Sequence, residues 1–142
     1  MGRKRHLMVD TMGLVLIALV HAASLQDPVA ARLVFNRVGH TLLRLRLIWA
    51  DGIYRGQLVD WLLQSFGWEL TIVMPKDKST GFQVLPRRWV IERTFAWLGR
   101  FRRLSKDYEQ YPASAEAFIY IAMIRLMLHR LARQLTQASS TC

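Results

Sequence analysis

Leu45-Arg46-Leu47-Ile48-Trp49-Ala50-Asp51-Gly52, residues 45–52, is an apolar run that stops at an acid and a glycine. It reads as a strand closed by a turn. Downstream, Leu58, Val59, Leu62 and Leu63 recur at helical spacing over 55–66, and residues 68–74 read as a further strand stopped by Pro75. Strand, helix, strand implies a crossover and parallel pairing. Upstream, Asp27-Pro28 predicts a helix start, with Asp27 as N-cap and Pro28 at the first helical position. That helix should run to about 43, with a break near Gly39. Earlier still, Leu7-Met8-Val9 leads into Asp10-Thr11-Met12-Gly13, and Leu14-Val15-Leu16-Ile17-Ala18-Leu19-Val20 leads out. This predicts an antiparallel hairpin over 3–22, with Gly13 supplying the permissive backbone of its turn.

The opening segment has a rival reading. Met1-Gly2-Arg3-Lys4-Arg5-His6 has the charge of a signal-peptide start, 12–20 its apolar segment and Val20-His21-Ala22 its cleavage site. Asp10 interrupts that pattern, and the single cysteine, Cys142, provides no secretory disulfide framework. A reducing cytoplasm fits. No run of eighteen uncharged apolar residues exists, so no membrane span is expected. Beyond Pro75, residues 76–81 read as a polar loop, Pro86 opens a helix to about 102, and Pro112 opens another to about 134.

The order ββαβαβ, then a loop and two helices, predicts an α/β fold: a mixed sheet flanked by helices. It resembles the ribonuclease H-like fold, which has one further strand before the hairpin. The expectation is a partial ribonuclease H-like mixed sheet over 1–136, missing the first strand, with 137–142 a disordered tail.

Twenty Lys and Arg stand against ten Asp and Glu, a formal charge of +10. The natural partner of such a surface is a polyanion, nucleic acid first among them; the alternative is a basic protein that is merely soluble.

Two acids stand out. Asp51 follows an apolar strand directly, where open α/β sheets bind ligands; equally, it suits a turn aspartate bonding its own backbone. Glu92 is the only acid between Pro86 and Lys106, among Arg87, Arg88, Arg93, Arg100, Arg102, Arg103 and Lys106. It fits either an ordinary Arg88–Glu92 helix pair or a metal ligand among phosphate-binding cations, the combination that metal-assisted phosphoryl transfer uses. An apolar stripe of Val90, Ile91, Trp97, Leu98 and Phe101 is expected to seat this helix.

Leu47-Ile48-Trp49-Ala50-Asp51-Gly52-Ile53-Tyr54 resembles the second-aspartate motif of insertion-sequence DDE transposases. The run Leu85-Pro86-Arg87-Arg88-Trp89-Val90-Ile91-Glu92-Arg93-Thr94-Phe95-Ala96-Trp97-Leu98 resembles their glutamate motif, and 100–109 continues the likeness. The segment 2–11 is similar to the family's second strand, so nearly all of 2–133 is covered. The resemblance implies DNA cleavage and strand transfer by three carboxylates holding two Mg²⁺ ions, with Asp51 and Glu92 as two of them. It implies element ends and target DNA as partners, gripped by the seven cations named above. The family often has a tyrosine where Leu85 stands and a lysine where Gly99 stands, which leaves Arg93 and Arg100 to share phosphate positioning.

The family's first aspartate lies on the first strand. Asp10 is the available substitute, but it sits at the opposite edge of the sheet from Asp51, which favours a turn role. The chain alone is therefore expected to be nearly inactive, either as the downstream half of a transposase split over two reading frames or as a genomic remnant, with an upstream transposase half or a homo-oligomer as the expected partner. The alternative is a non-catalytic DNA-binding or regulatory fragment. His21, His40 and His129 read as structural or solvent-facing, and the five tryptophans mostly as core. Phe118, Ile121, Ala122, Ile124, Leu128 and Leu131 read as the packing face of the last helix, with Arg125, Arg130 and Arg133 outside.

Overall fold

The computed structural model describes residues 2–39, 41–74 and 87–139. Expectations that fall on His40, Pro75, residues 76–81, Leu85, Pro86 and Cys142 lie outside the described residues. Strands β1 (Arg3–Val9) and β2 (Val15–Ala22) form the expected antiparallel hairpin, with Arg3 opposite Ala22 and Met8 opposite Ile17. Asp10 builds its turn: Oδ1 accepts from the amides of Met12 and Leu14, each at 2.8 Å.

Strand side chains alternate between faces, and both faces of β2 are buried. Ile17 and Leu19 join one core with helix α1 (Asp27–Val38), and Ala18 and Val20 join another with helix α4 (Pro112–Ser139). This explains the unbroken apolar run 14–20, in which the signal-peptide reading saw a leader. The outer edge of β2 is closed by α4. The Ala18 amide donates to the Tyr120 hydroxyl at 2.9 Å, and the Val20 amide to Glu116 Oε1 at 2.8 Å.

Helix α1 starts from Gln26, not from Asp27, which lies in its first turn. Asp27 does not cap because its Oδ1 is held by Lys4 Nζ at 2.9 Å. The helix stops at Val38 rather than near 43, and Gly39 follows with φ 21°. Strand β3 (Leu47–Asp51), a 3₁₀ turn (Gly52–Tyr54), helix α2 (Gln57–Phe66) and strand β4 (Glu69–Val73) follow. β3 and β4 pair in parallel, Leu47 with Glu69 through Asp51 with Val73.

Helix α3 (Arg88–Gly99) ends before the predicted 102, because Phe101 turns extended (φ −86°, ψ 120°) into a second 3₁₀ turn, Arg102–Leu104. Its buried residues are Val90, Thr94 and Leu98. Ile91, Trp97 and Phe101 are only half-buried, and a threonine takes the centre of the stripe. Helix α4 is longer than predicted and includes residues 137–139. It packs through Ala115, Ile119, Ala122 and Met123. The predicted packing residues Ile121, Ile124, Leu128 and Leu131 are 55–61% exposed, since β2 is covered by the first half of the helix alone. Of the tryptophans, only Trp68 is buried.

The α/β class holds, with parallel and antiparallel pairing both present. The single mixed sheet does not: β1–β2 and β3–β4 are separate two-stranded sheets. Among the described residues nothing joins β1 to β3 by a ladder; a cleft lies between them instead.

Candidate active site at the carboxyl end of β3

The cleft has a volume of about 800 Å³. Residues 4–9 of β1 and 47–51 of β3 line it, with Leu45, Val34, Phe35 and Leu58 adding apolar surface. Asp51 ends β3 and is exposed. Its Oδ1 accepts from the Ile53 amide at 2.9 Å and so caps the 3₁₀ turn. Its other oxygen takes no hydrogen bond among the described residues. Asp10 also lines the cleft, but its Oδ1 is committed to the hairpin turn.

The first turns of α3 form another wall, with Arg87, Arg88, Val90, Ile91 and Phe95 facing the cleft. The Arg87 guanidinium lies 4.0 Å from the ring centre of Trp49 and fastens this end of α3 to β3. Glu92 is not among the lining residues. It is exposed and accepts from Arg88 Nε at 3.1 Å. The ordinary helix pair is thus formed. Among the described residues no group of three His, Cys, Asp or Glu side chains could hold a metal ion. Each of the two acids nonetheless offers the hard oxygen donors that Mg²⁺ takes.

The cations divide into two sets. Arg93 is built into the fold: it lies 4.4 Å and 4.7 Å from the ring centres of Trp89 and Trp97 and donates to the Met12 carbonyl at 2.9 Å. Arg103 pairs with Glu109 at 2.8 Å and covers Phe118. Arg100, Arg102 and Lys106 are exposed and form no ion pair among the described residues. On α4, Arg130 stacks on Trp97 and Arg125 on Phe101.

A polar relay that the sequence analysis missed supports the Asp51 turn from behind. Burial pushes the Tyr54 hydroxyl up to about 12, with Asp27 and Asp51 adding to the effect. The hydroxyl lies 3.2 Å from His6 Nδ1, and His6 Nε2 lies 3.4 Å from Asp27 Oδ1. His21, buried as expected of a structural residue, stacks on His6 with ring centres 4.8 Å apart. Tyr54 was visible beside Asp51, but nothing local linked it to His6, 48 residues away.

Burial lowers the His6 imidazole below its ordinary value of 6.5, and the neighbouring His21 adds to this, against an opposing pull from Asp27. The unfolded chain then binds more protons near that value, so stability rises with pH there. We expect the urea midpoint to be level from about pH 8 to 7 and to fall as the pH drops below about 6.5, with a shallower fall in His6→Gln. Asp27 is held below its ordinary 3.8 mainly by its bond to Lys4, so its contribution is lost only at lower pH. A midpoint that rises on acidification would contradict a neutral His6.

Residues 1–127 match the family model described as Transposase DDE domain. A Burkholderia cepacia protein named as a transposase for insertion sequence element IS402 is 28% identical over 139 residues, 93% of this chain and 65% of that protein. The chain thus spans less than two thirds of the length of that curated relative. No solved structure matches it. No helix among the described residues is long and apolar enough to cross a membrane. With a match over most of its length, the chain belongs to the DDE transposase domain family.

Proposed function

We propose that the chain is the C-terminal part of the catalytic core of an insertion-sequence transposase, and that it contributes Asp51 and Glu92 to divalent-metal-dependent DNA cleavage and strand transfer in the cytoplasm. The observation that carries this reading is the position of Asp51: exposed, at the carboxyl end of a parallel strand, with one oxygen that takes no hydrogen bond among the described residues. Mg²⁺, two ions in the complete enzyme, would polarise the scissile phosphate and activate the attacking oxygen. Asp51 would hold the ion through its free oxygen while the Ile53 amide fixes its rotamer. Glu92 would join it once the Arg88 pair opens, which releases the Arg88 guanidinium to a phosphate. Arg100, Arg102 and Lys106 would grip the DNA backbone of the element ends and target. The third carboxylate would come from an upstream transposase polypeptide.

The Arg88 pair that occupies Glu92 supports a second reading, a non-catalytic DNA-binding regulator. One experiment separates the two. The purified chain is mixed with duplex DNA carrying the ends of its own element, with Mg²⁺, with and without the upstream polypeptide. We expect binding whose log K falls by roughly 3–4 per decade of salt, at about 0.9 per phosphate contacted by Arg88, Arg100, Arg102 and Lys106. We expect cleavage only when both polypeptides are present. Binding without cleavage in either mixture would establish the regulator. Cleavage by the chain alone that survives Asp10→Asn would overturn the need for a supplied carboxylate.

A further inference from the structure

Helix α4 is apolar on two sides, and among the described residues only one of them is covered. Ala115, Ile119, Ala122 and Met123 pack against the fold. On the opposite side, Ile121, Ile124, Leu128, Leu131 and Leu135 are more than half exposed. Ala117 and Ala138, also exposed, extend the row by one position at each end. Steps along the row alternate between four and three residues, so every a and d position of consecutive heptads from 117 to 138 is apolar. The solvent face of a helix is ordinarily polar. A seam of this period is what a second helix needs to seat knobs in holes.

We propose that this face pairs with the same face of a second copy of the chain, α4 against α4 about a two-fold axis. The flanking positions favour an identical partner. A helix that selects a different helix uses charges at positions e and g to choose it. Among those positions in 117–139 only Arg125 is charged, and it lies over Phe101, 5.9 Å from the ring centre. His129, Arg130 and Arg133 fall on positions b, c and f, so two copies turn these cations away from each other. Arg130 is also stacked on Trp97 of its own chain. The seam is thus complementary to itself, which is what a two-fold interface requires. Pairing stops at two because one flank is engaged within the chain: Arg103 covers Phe118, and Arg125 covers Phe101. The row is about 33 Å long at helical rise. Its large side chains leave on the order of 600 Å² of apolar surface per copy, roughly 1,200 Å² for the pair, the lower bound of stable specific interfaces. The pairing is independent of the catalytic reading, since it involves neither Asp51, Glu92 nor DNA.

The test is sedimentation equilibrium of the intact chain under reducing conditions, which keep Cys142 from bridging copies. A dimer is expected above about 10 µM, in the weak part of the range that such areas give. Leu128→Glu and Leu131→Glu each place a carboxylate in the seam and should weaken association by at least about a hundredfold. Their far-UV circular dichroism should match the parent, because both side chains are exposed in the single chain. Arg133→Glu puts the same new charge on the outer side of the helix and should change association by less than about threefold. The parent's thermal midpoint should also rise with concentration, a readout that needs no variant. A chain that stays monomeric to about 100 µM overturns the pairing, whether lipid vesicles or another protein's helix then occupy the face. A midpoint independent of concentration, a dimer that persists in both seam variants, or an assembly larger than a dimer overturns it as well.

Discussion

Gly13→Ala is expected to cost about 2–5 kcal/mol, combining roughly 1–2 for a left-handed backbone with about 1–3 for overpacking. Gly13 has φ 82°, in the region that side chains with a Cβ avoid. A Cβ there would lie 2.8 Å from Thr94 Oγ1 and 3.1 Å from Trp97 Cζ3. Neither neighbour yields easily. Thr94 is fully buried, its hydroxyl donating to the Gly13 carbonyl at 2.7 Å and lying 3.1 Å from that of Val90. Trp97 is wedged between Arg93 and Arg130. A loss of this size is a large share of the 5–15 kcal/mol that ordinary domains possess. Urea unfolding would show it as a lowered midpoint with an unchanged slope. If the clash matters, Thr94→Ala should recover part of the loss in the double variant, a coupling that independent sites would not show. A loss under about 1 kcal/mol would mean that the turn relaxes away from α3.

Gly13 and Thr94 also show where reading the sequence stopped. The hairpin, the crossover strands and the four helices were legible because each rests on local periodicity or on a turn residue beside it. Asp51 was legible for the same reason: a strand, an acid and a glycine in succession. The misses are contacts between distant segments. Thr94 meets Gly13 across 81 residues, and Arg93 meets Met12 across 81, so the roles of a buried threonine and of an arginine as joints of the fold were not visible along the sequence. The sheet was misjudged for a related reason. Pairing between β1 and β3 depends on what lies between them, and periodicity within either strand carries no information about that gap. The second half of α4 followed the helical pattern, but a pattern specifies a face without supplying a partner to cover it.

On the proposed ligand roles, Asp51→Asn and Glu92→Gln are each expected to reduce DNA cleavage by about a thousandfold in the mixture with the proposed upstream polypeptide, since loss of a metal ligand forfeits several kcal/mol of charge stabilisation. The substitutions are chosen so that the structural roles of both residues survive. Asparagine still offers an oxygen to the Ile53 amide, the one bond the Asp51 carboxylate makes among the described residues. Glutamine loses only the exposed pair with Arg88, a contribution of about 0.3 kcal/mol for helix neighbours at that spacing. Stability should therefore stay within about 0.5 kcal/mol of the parent in both variants. DNA affinity should hold or rise, because each change removes a negative charge beside phosphate-binding cations. Asp51→Ala provides the complementary measurement: it removes the cap as well, and should lose about 1 kcal/mol of stability in addition to activity. A turn aspartate predicts the reverse, with Asp51→Asn active and Asp51→Ala merely less stable. Cleavage retained in Asp51→Asn would thus leave Asp51 as the cap of its own turn.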